Sequence, residues 1–210
     1  MMSKLLITWH GHSCFTVSAD DYRIVFDPYA PGSVPGLSPL ALTADQVLCS
    51  HEHHDHGFTG AVSLREPRAA DSPFDILKID TFHDDNGGAK RGPNRIHILQ
   101  TDGLRIAHMG DLGCIPDSRQ MEQLKNLDAV LIPVGGYYTI DADCAWDLVA
   151  RLSPRIVIPM HYRSDIFGFA EIERLEEYTK RCNNLVTYDT DTIEITKDTK
   201  AQTAILKYCG

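Results

Sequence analysis

No run of 18 apolar residues occurs anywhere in this chain, so no membrane-spanning helix is expected. Paired cysteine spacing is also missing. Cys14, Cys49, Cys114, Cys144, Cys182 and Cys209 are scattered with no Cys-x-x-Cys and no disulfide framework, which fits a reduced, cytoplasmic setting. The first ten residues carry one lysine and only the short apolar stretch Leu5-Leu6-Ile7, unlike a secretory leader. Basic residues are in deficit, 20 against 29 acidic, for a net charge of -9. That balance disfavours broad binding to nucleic acid or to anionic membranes. Neither a Gly-x-Ser-x-Gly elbow nor a Walker-type glycine loop is present, so no serine nucleophile or P-loop is signalled.

What is there is ordinary in amount and unusual in arrangement. With 210 residues, 43% of them apolar and 23% charged, the chain suits one globular domain spanning residues 1–210. Strand-like runs fill the first half, at residues 5–9, 14–18, 22–26, 47–49, 75–79, 96–100 and 104–108, with a hairpin turn at Asp20-Asp21. A short helix is expected near 59–65. Helical spacing then appears over 118–127, 142–152 (Ala145, Trp146, Val149 and Leu152 on one stripe) and 171–182. Further strands are expected at 129–133, 156–159, 185–188, 192–195 and 204–208, with irregular loops at 28–39 and 84–93. No repeat is found. Strands with helices spaced between them predict a layered α/β architecture, sheets inside and helices outside.

One hexapeptide dominates the chemistry. His51-Glu52-His53-His54-Asp55-His56 holds four imidazoles and two carboxylates, the common ligands of zinc, manganese and iron. It follows the short apolar strand ending at Cys49, and a strand that ends in a loop of donors fixes them well. Three more donors share that context. His83 follows Ile76-Leu77-Lys78-Ile79, Asp111 follows the run ending at His108, and His161 follows Ile156-Val157-Ile158-Pro159-Met160. In open α/β sheets, ligands gather outside the carboxyl ends of strands, so these ends could converge on one rim.

The order His51-x-His53-x-Asp55-His56, then His83, Asp111 and His161, resembles the metallo-β-lactamase superfamily of metal-dependent hydrolases. Trp9-His10-Gly11-His12-Ser13-Cys14-Phe15 and Phe26-Asp27-Pro28 resemble the branch containing ascorbate-6-phosphate lactonases and the N-acyl-phosphatidylethanolamine phospholipase. The resemblance implies an αββα sandwich of two mixed β-sheets flanked by helices, with a dinuclear metal site on one edge. It implies that His51, His53 and His83 hold one metal and Asp55, His56 and His161 the second, with Asp111 between them. His108 is the rival of His83. His54 falls at the variable position of the motif. Asp27, restrained by Pro28, suits a partner for the spare N–H of a ligating histidine.

Two divalent cations would acidify a shared water to make the nucleophile, with Asp55 or Asp111 taking up a proton in turnover. An all-N/O donor set fits zinc first and is compatible with manganese, iron or nickel. The substrate is expected to be a small, anionic ester, lactone or phosphodiester. Lys90, Arg91 and Asn94 beyond His83 are candidate contacts for its charge, since arginine can engage two oxygens at once. Tyr138 is a candidate wall, and His12 is a candidate for the site mouth or, equally, for a buried structural position. A nuclease, or a metal-binding protein without turnover, are the alternatives. A homo-oligomer is compatible with everything in the sequence.

Overall fold

The computed structural model describes residues 4–66 and 72–210; residues 1–3 of the N-terminal segment lie outside the described residues. Alternation of apolar residues builds the first sheet. In β1 (Leu5–Gly11) every second residue is buried, the pattern of a strand with one face on a core. Strand β2 (Cys14–Ala19) pairs antiparallel with it, and β3 (Tyr22–Phe26) follows through the two-residue Asp20-Asp21 turn. Asp20 takes φ 50°, a left-handed conformation that aspartate tolerates. With β5 (Gln46–Leu48) parallel to β3 and β13 (Thr192–Ile195) antiparallel to β1, the order is β13-β1-β2-β3-β5.

The second sheet has seven strands. Its centre, β10 (Ala129–Pro133) and β11 (Ile156–Met160), is buried at every position, as expected for parallel strands covered on both faces. Strand β9 (Leu104–His108) lies parallel beside β10, while β14 (Gln202–Ile205) and β12 (Leu185–Thr187) extend the sheet beyond β11. On the other side β8 (Pro93–Thr101) and β7 (Asp75–Phe82) pair antiparallel. Both sheets are therefore mixed, and their inner faces share one apolar core. Since β7 and β9 each oppose β8, both run the same way as β10 and β11. The carboxyl ends of all four lie along one rim.

Helix boundaries depart from the periodicity. The 118–127 segment forms only α1 (Ser118–Gln123), started by an Asp117–Gln120 capping box; Asn126 at φ 57° breaks the run, although Leu124 and Leu127 remain buried. The 171–182 segment forms only α3 (Leu175–Thr179). Its first part is held extended, with Glu173 N–H donating to Gly135 O and Glu173 O accepting from Arg163 N–H. In α2 (Ala142–Leu152) the buried stripe is Ala142, Ala145, Leu148 and Leu152, and Trp146 faces outward. Instead of a helix over 59–65, a single 3-10 turn (Thr59–Ala61) leads into β6 (Val62–Leu64). That strand pairs with β4 (Leu42–Ala44), a small sheet that short sequence runs do not announce. Among the described residues no helix is long and apolar enough to cross a membrane.

Candidate metal centre

Asp111 Oδ2 is the centre of the arrangement. Around it stand His56 Nε2 at 3.1 Å, His83 Nε2 at 3.2 Å, His161 Nε2 at 3.3 Å and His51 Nε2 at 3.9 Å. These donors leave the carboxyl ends of β5, β7, β9 and β11, as the rim geometry requires. Ligand atoms about 2.0–2.2 Å from a shared cation lie roughly 3.3 Å apart, and the spacing around Asp111 is of that size. Three sets of donors each lie within 4.8 Å of one another: His51, His53 and His83; His12, Asp55, His56 and His161; and His51, His56 and Asp111.

The local backbone explains how so many donors fit. His53 O accepts from His56 N–H at 2.9 Å and from Gly57 N–H at 2.7 Å, folding the hexapeptide into a turn. Asp27 and His161 take φ 44° and 54°, left-handed conformations that turn the chain sharply at the strand ends. Gly110 at φ 57° has no room for a side chain, since a Cβ would lie 2.4 Å from both Asn94 Oδ1 and Ser50 Cβ. Gly113 packs as tightly, where a Cβ would lie 2.2 Å from the carbonyl carbon of His83.

A buried polar hub sets the ring orientations. Asp27 accepts from Ser50 N–H and Ser50 Oγ–H, each at 2.6 Å, and from His56 Nδ1–H at 2.9 Å. Because the serine proton goes to Asp27, Ser50 Oγ accepts from His51 Nδ1–H at 2.9 Å. Both imidazoles then aim Nε2 inward, toward Asp111. His51 Nε2 and His56 Nε2 are buried without a hydrogen-bond partner, a costly state that a cation would relieve. On this observation the residues present fit a metal.

Charge follows the same plan. Burial, then the neighbouring His56, pushes His51 down to about 3, and burial lowers His83, so both rings are neutral and able to bind metal. Burial acts on His56 in the same sense, but Asp111, Asp55 and Asp27 outweigh it and raise its pKa well above the usual value. Burial would raise Asp111, but the His161 and His56 rings hold it well below the carboxylate range.

Several expected contacts lie elsewhere. Asn94 is buried with its amide fully committed: Nδ2 donates to Thr81 Oγ1 at 2.8 Å and to Met109 O at 3.0 Å, and Oδ1 accepts from Asp111 N–H at 2.9 Å. It braces the Asp111 turn and does not face the cleft. Lys90 is exposed and paired with Asp85 at 3.0 Å, beside a neighbouring groove. Of the two positions open to His12, the structure has the buried one: its side chain is wholly enclosed beneath the site and does not line the mouth. His108 stands apart from all three donor sets, with Nε2 donating to Ser13 O at 2.9 Å and Nδ1 accepting from Gly110 N–H at 3.2 Å. His54 is exposed.

Arg91 and Tyr138 do reach the cleft, which measures about 530 Å³ and is also lined by Ser33, His53, Asp55 and Phe169. The Arg91 guanidinium stacks over Tyr138 at 5.4 Å and Tyr137 at 6.0 Å. Its loop is shaped by Asp84, buried, whose carboxylate accepts from the backbone N–H of Asn86, Gly88, Lys90 and Arg91 at 2.8–2.9 Å. Burial alone would raise Asp84, yet those four donors hold it at about 2. Ser50 and Asp84 were missed in the sequence. Adjacency to His51 was the one available sign for Ser50, and an Asp opening a glycine-rich loop was the sign for Asp84.

Comparison with known proteins agrees with this geometry. A family model described as the β-lactamase superfamily domain matches residues 6–161. The chain is similar to the UPF0173 metal-dependent hydrolase Ta0764 of Thermoplasma acidophilum, 28% identical over 204 residues covering 83% of this chain and 91% of the relative. A UPF0173 metal-dependent hydrolase of Methanoregula boonei is 29% identical over 189 residues, covering 75% and 82%. Among solved structures, a Thermotoga maritima protein assigned as a Zn-dependent hydrolase of the metallo-β-lactamase superfamily superposes with TM-score 0.74. It is 27% identical, and the match covers 97% of this chain and all of that one. Igni18, a metallo hydrolase of Ignicoccus hospitalis, shares the fold with TM-score 0.65 at 20% identity, over 85% of this chain and 90% of its own. This chain belongs to the β-lactamase superfamily and has the metallo-β-lactamase fold.

Proposed function

We propose that this metal-dependent hydrolase works with two divalent cations and cleaves a small anionic ester, lactone or phosphodiester. In this reading His51, His53 and His83 would hold the first cation and Asp55, His56 and His161 the second, with Asp111 available to both. The observation that carries the reading is the set of four imidazole nitrogens within 3.9 Å of Asp111 Oδ2. Zinc suits the donors. When bound, the two cations supply an acidified water and polarise the scissile oxygen.

The chain's own residues do the rest. Asp27 and Ser50 orient His56 and His51; Asp55, partly exposed at the cleft, is placed to take up a proton during turnover. Arg91 binds the anionic group and Tyr138 forms a wall. The Gly11–Ser13 segment and Phe26-Asp27-Pro28 support a lactonase- or phospholipase-like branch, acting as one domain in a reducing, cytoplasmic setting where none of the six thiols is paired. A nuclease is less well supported, because Arg91 is the single Lys or Arg lining the cleft among the described residues.

Elemental analysis of protein purified without chelator tests the reading directly, with two ions per chain expected. Asp55→Ala should abolish hydrolysis across a panel of lactones and phosphodiesters while the thermal melt stays cooperative. Fewer than two ions, or undiminished turnover, overturns it.

A further inference from the structure

The turn joining β1 to β2 is more constrained than a hairpin requires. His12 takes φ 51°, and the strand register slips between Trp9 and Gly11 just before it. Its carbonyl accepts from Trp9 Nε1–H at 3.0 Å and from His161 N–H at 3.4 Å. The next carbonyl, Ser13 O, is held by His108 at 2.9 Å. Three separate elements thus fix one strained peptide. Strain of this kind persists where surrounding structure enforces it, and it clusters at functional positions.

The side chain that this turn delivers is fully buried, yet neither of its ring nitrogens has a hydrogen-bond partner. Leaving both nitrogens of an imidazole unpaired in the interior is strongly unfavourable, and few native polar groups are left so. Nε2 lies 3.4 Å from Asp55 Oδ2, longer than the roughly 2.7–2.9 Å of a charge-assisted hydrogen bond and close to the separation of two ligands on one cation. The ring is 4.1 Å from that of His161 and 5.2 Å from that of His56, centroid to centroid. One donor atom each from His12, Asp55, His56 and His161 lie within 4.8 Å of one another.

We infer that His12 is a fourth protein donor to the second cation, closing that site from below through the β1–β2 turn. This rests on the dinuclear reading above. Asp55 and His161 then hold the cation from the cleft side, where both line the wall, while His12 and His56 hold it from the interior. The Gly11-His12-Ser13 segment is explained as a ligand-bearing turn, and the role of His108 becomes that of positioning it.

The test is cobalt titration of metal-free protein, read by the visible d–d bands and by calorimetry. Two variants suit the backbone: His12→Gly, since glycine adopts this φ freely, and His12→Asn, since asparagine tolerates it and is too short to replace Nε2. Far-UV circular dichroism and melting of the metal-free proteins confirm folding, and either folded variant decides the matter. The expected result is that one of the two ions binds at least about tenfold more weakly with altered d–d bands, and that added imidazole restores the spectrum of His12→Gly. A purely structural turn would leave bands and affinities alone. Two ions in the wild type with both affinities and bands unchanged in a folded variant overturn the His12 assignment while leaving the dinuclear reading intact. Fewer than two ions in the wild type overturn the dinuclear reading, and this assignment with it.

Discussion

Asp27 Oδ2 lies 2.9 Å from His56 Nδ1, and the same carboxylate holds both the backbone and the hydroxyl of Ser50. One buried acid therefore orients two imidazoles, His56 directly and His51 through Ser50. Asp27→Asn should weaken metal binding by about 10–100-fold, measured by competition with a chromophoric chelator. Stability changes too. Burial would raise Asp27, but bonding to His56 and Ser50 and the His108 ring lower it from 3.8 to about 2. A depressed carboxyl pKa stabilises above the unfolded value, and that stabilisation is lost as pH falls from about 4 through 2. The linkage is on the order of 2 kcal/mol. Urea unfolding of metal-free Asp27→Asn should show that deficit at pH 7 and a flatter acid limb; matching curves would remove Asp27 from this role.

In the metal-free protein their surroundings push His56 and His51 in opposite directions. Carboxylates on three sides raise His56 well above the ordinary histidine value, whereas burial takes His51 to about 3. Long-range proton–nitrogen NMR of chelated protein should find His56 doubly protonated at pH 6.5–7 and His51 as a single tautomer. Since the His56 shift is upward, its stabilising contribution is complete below about pH 6.5 and is lost as pH rises through the folded value. Cations must displace that proton, so metal affinity should climb with pH over the same interval. A neutral His56 ring at pH 6 would contradict this.

Arg91 lines the cleft at the end of a loop whose backbone amides, its own among them, gather on Asp84. Arg91→Ala should raise KM for anionic substrates by roughly tenfold or more, with kcat little changed and neutral substrates spared. Asp84→Ala should reproduce that selective KM effect through the loop while leaving metal content intact. Equal KM changes for charged and neutral substrates would argue for a solvated Arg91.

Much of this arrangement can be read from the chain because it is local. Period-two alternation in β1, the Asp20-Asp21 hairpin and the unbroken apolar runs of β10 and β11 each declare themselves over a few residues. The hexapeptide does the same for the metal centre. What escaped were contacts between residues distant in sequence. Asn94 looks like a loop residue beside two cations, yet it is committed to Thr81 and Met109. His12 reads equally as a mouth or a buried residue, because the chain around it does not report that His108 and the backbone of His161, distant in sequence, hold its turn inward. The helices at 118–127 and 171–182 were overextended because periodicity registers burial, and buried residues continue past Gln123 without a helix.

The Asp84–Gly92 loop is closed upon itself. Its amides answer to its own aspartate, and His83 N–H meets Gly92 O at 3.1 Å across its neck. Its backbone shape is thus set from within the β7–β8 hairpin, while Arg91 reaches out of it to Tyr137 and Tyr138. A change in the exposed side chains of this loop would therefore alter what meets the cleft while its frame of amide bonds persists.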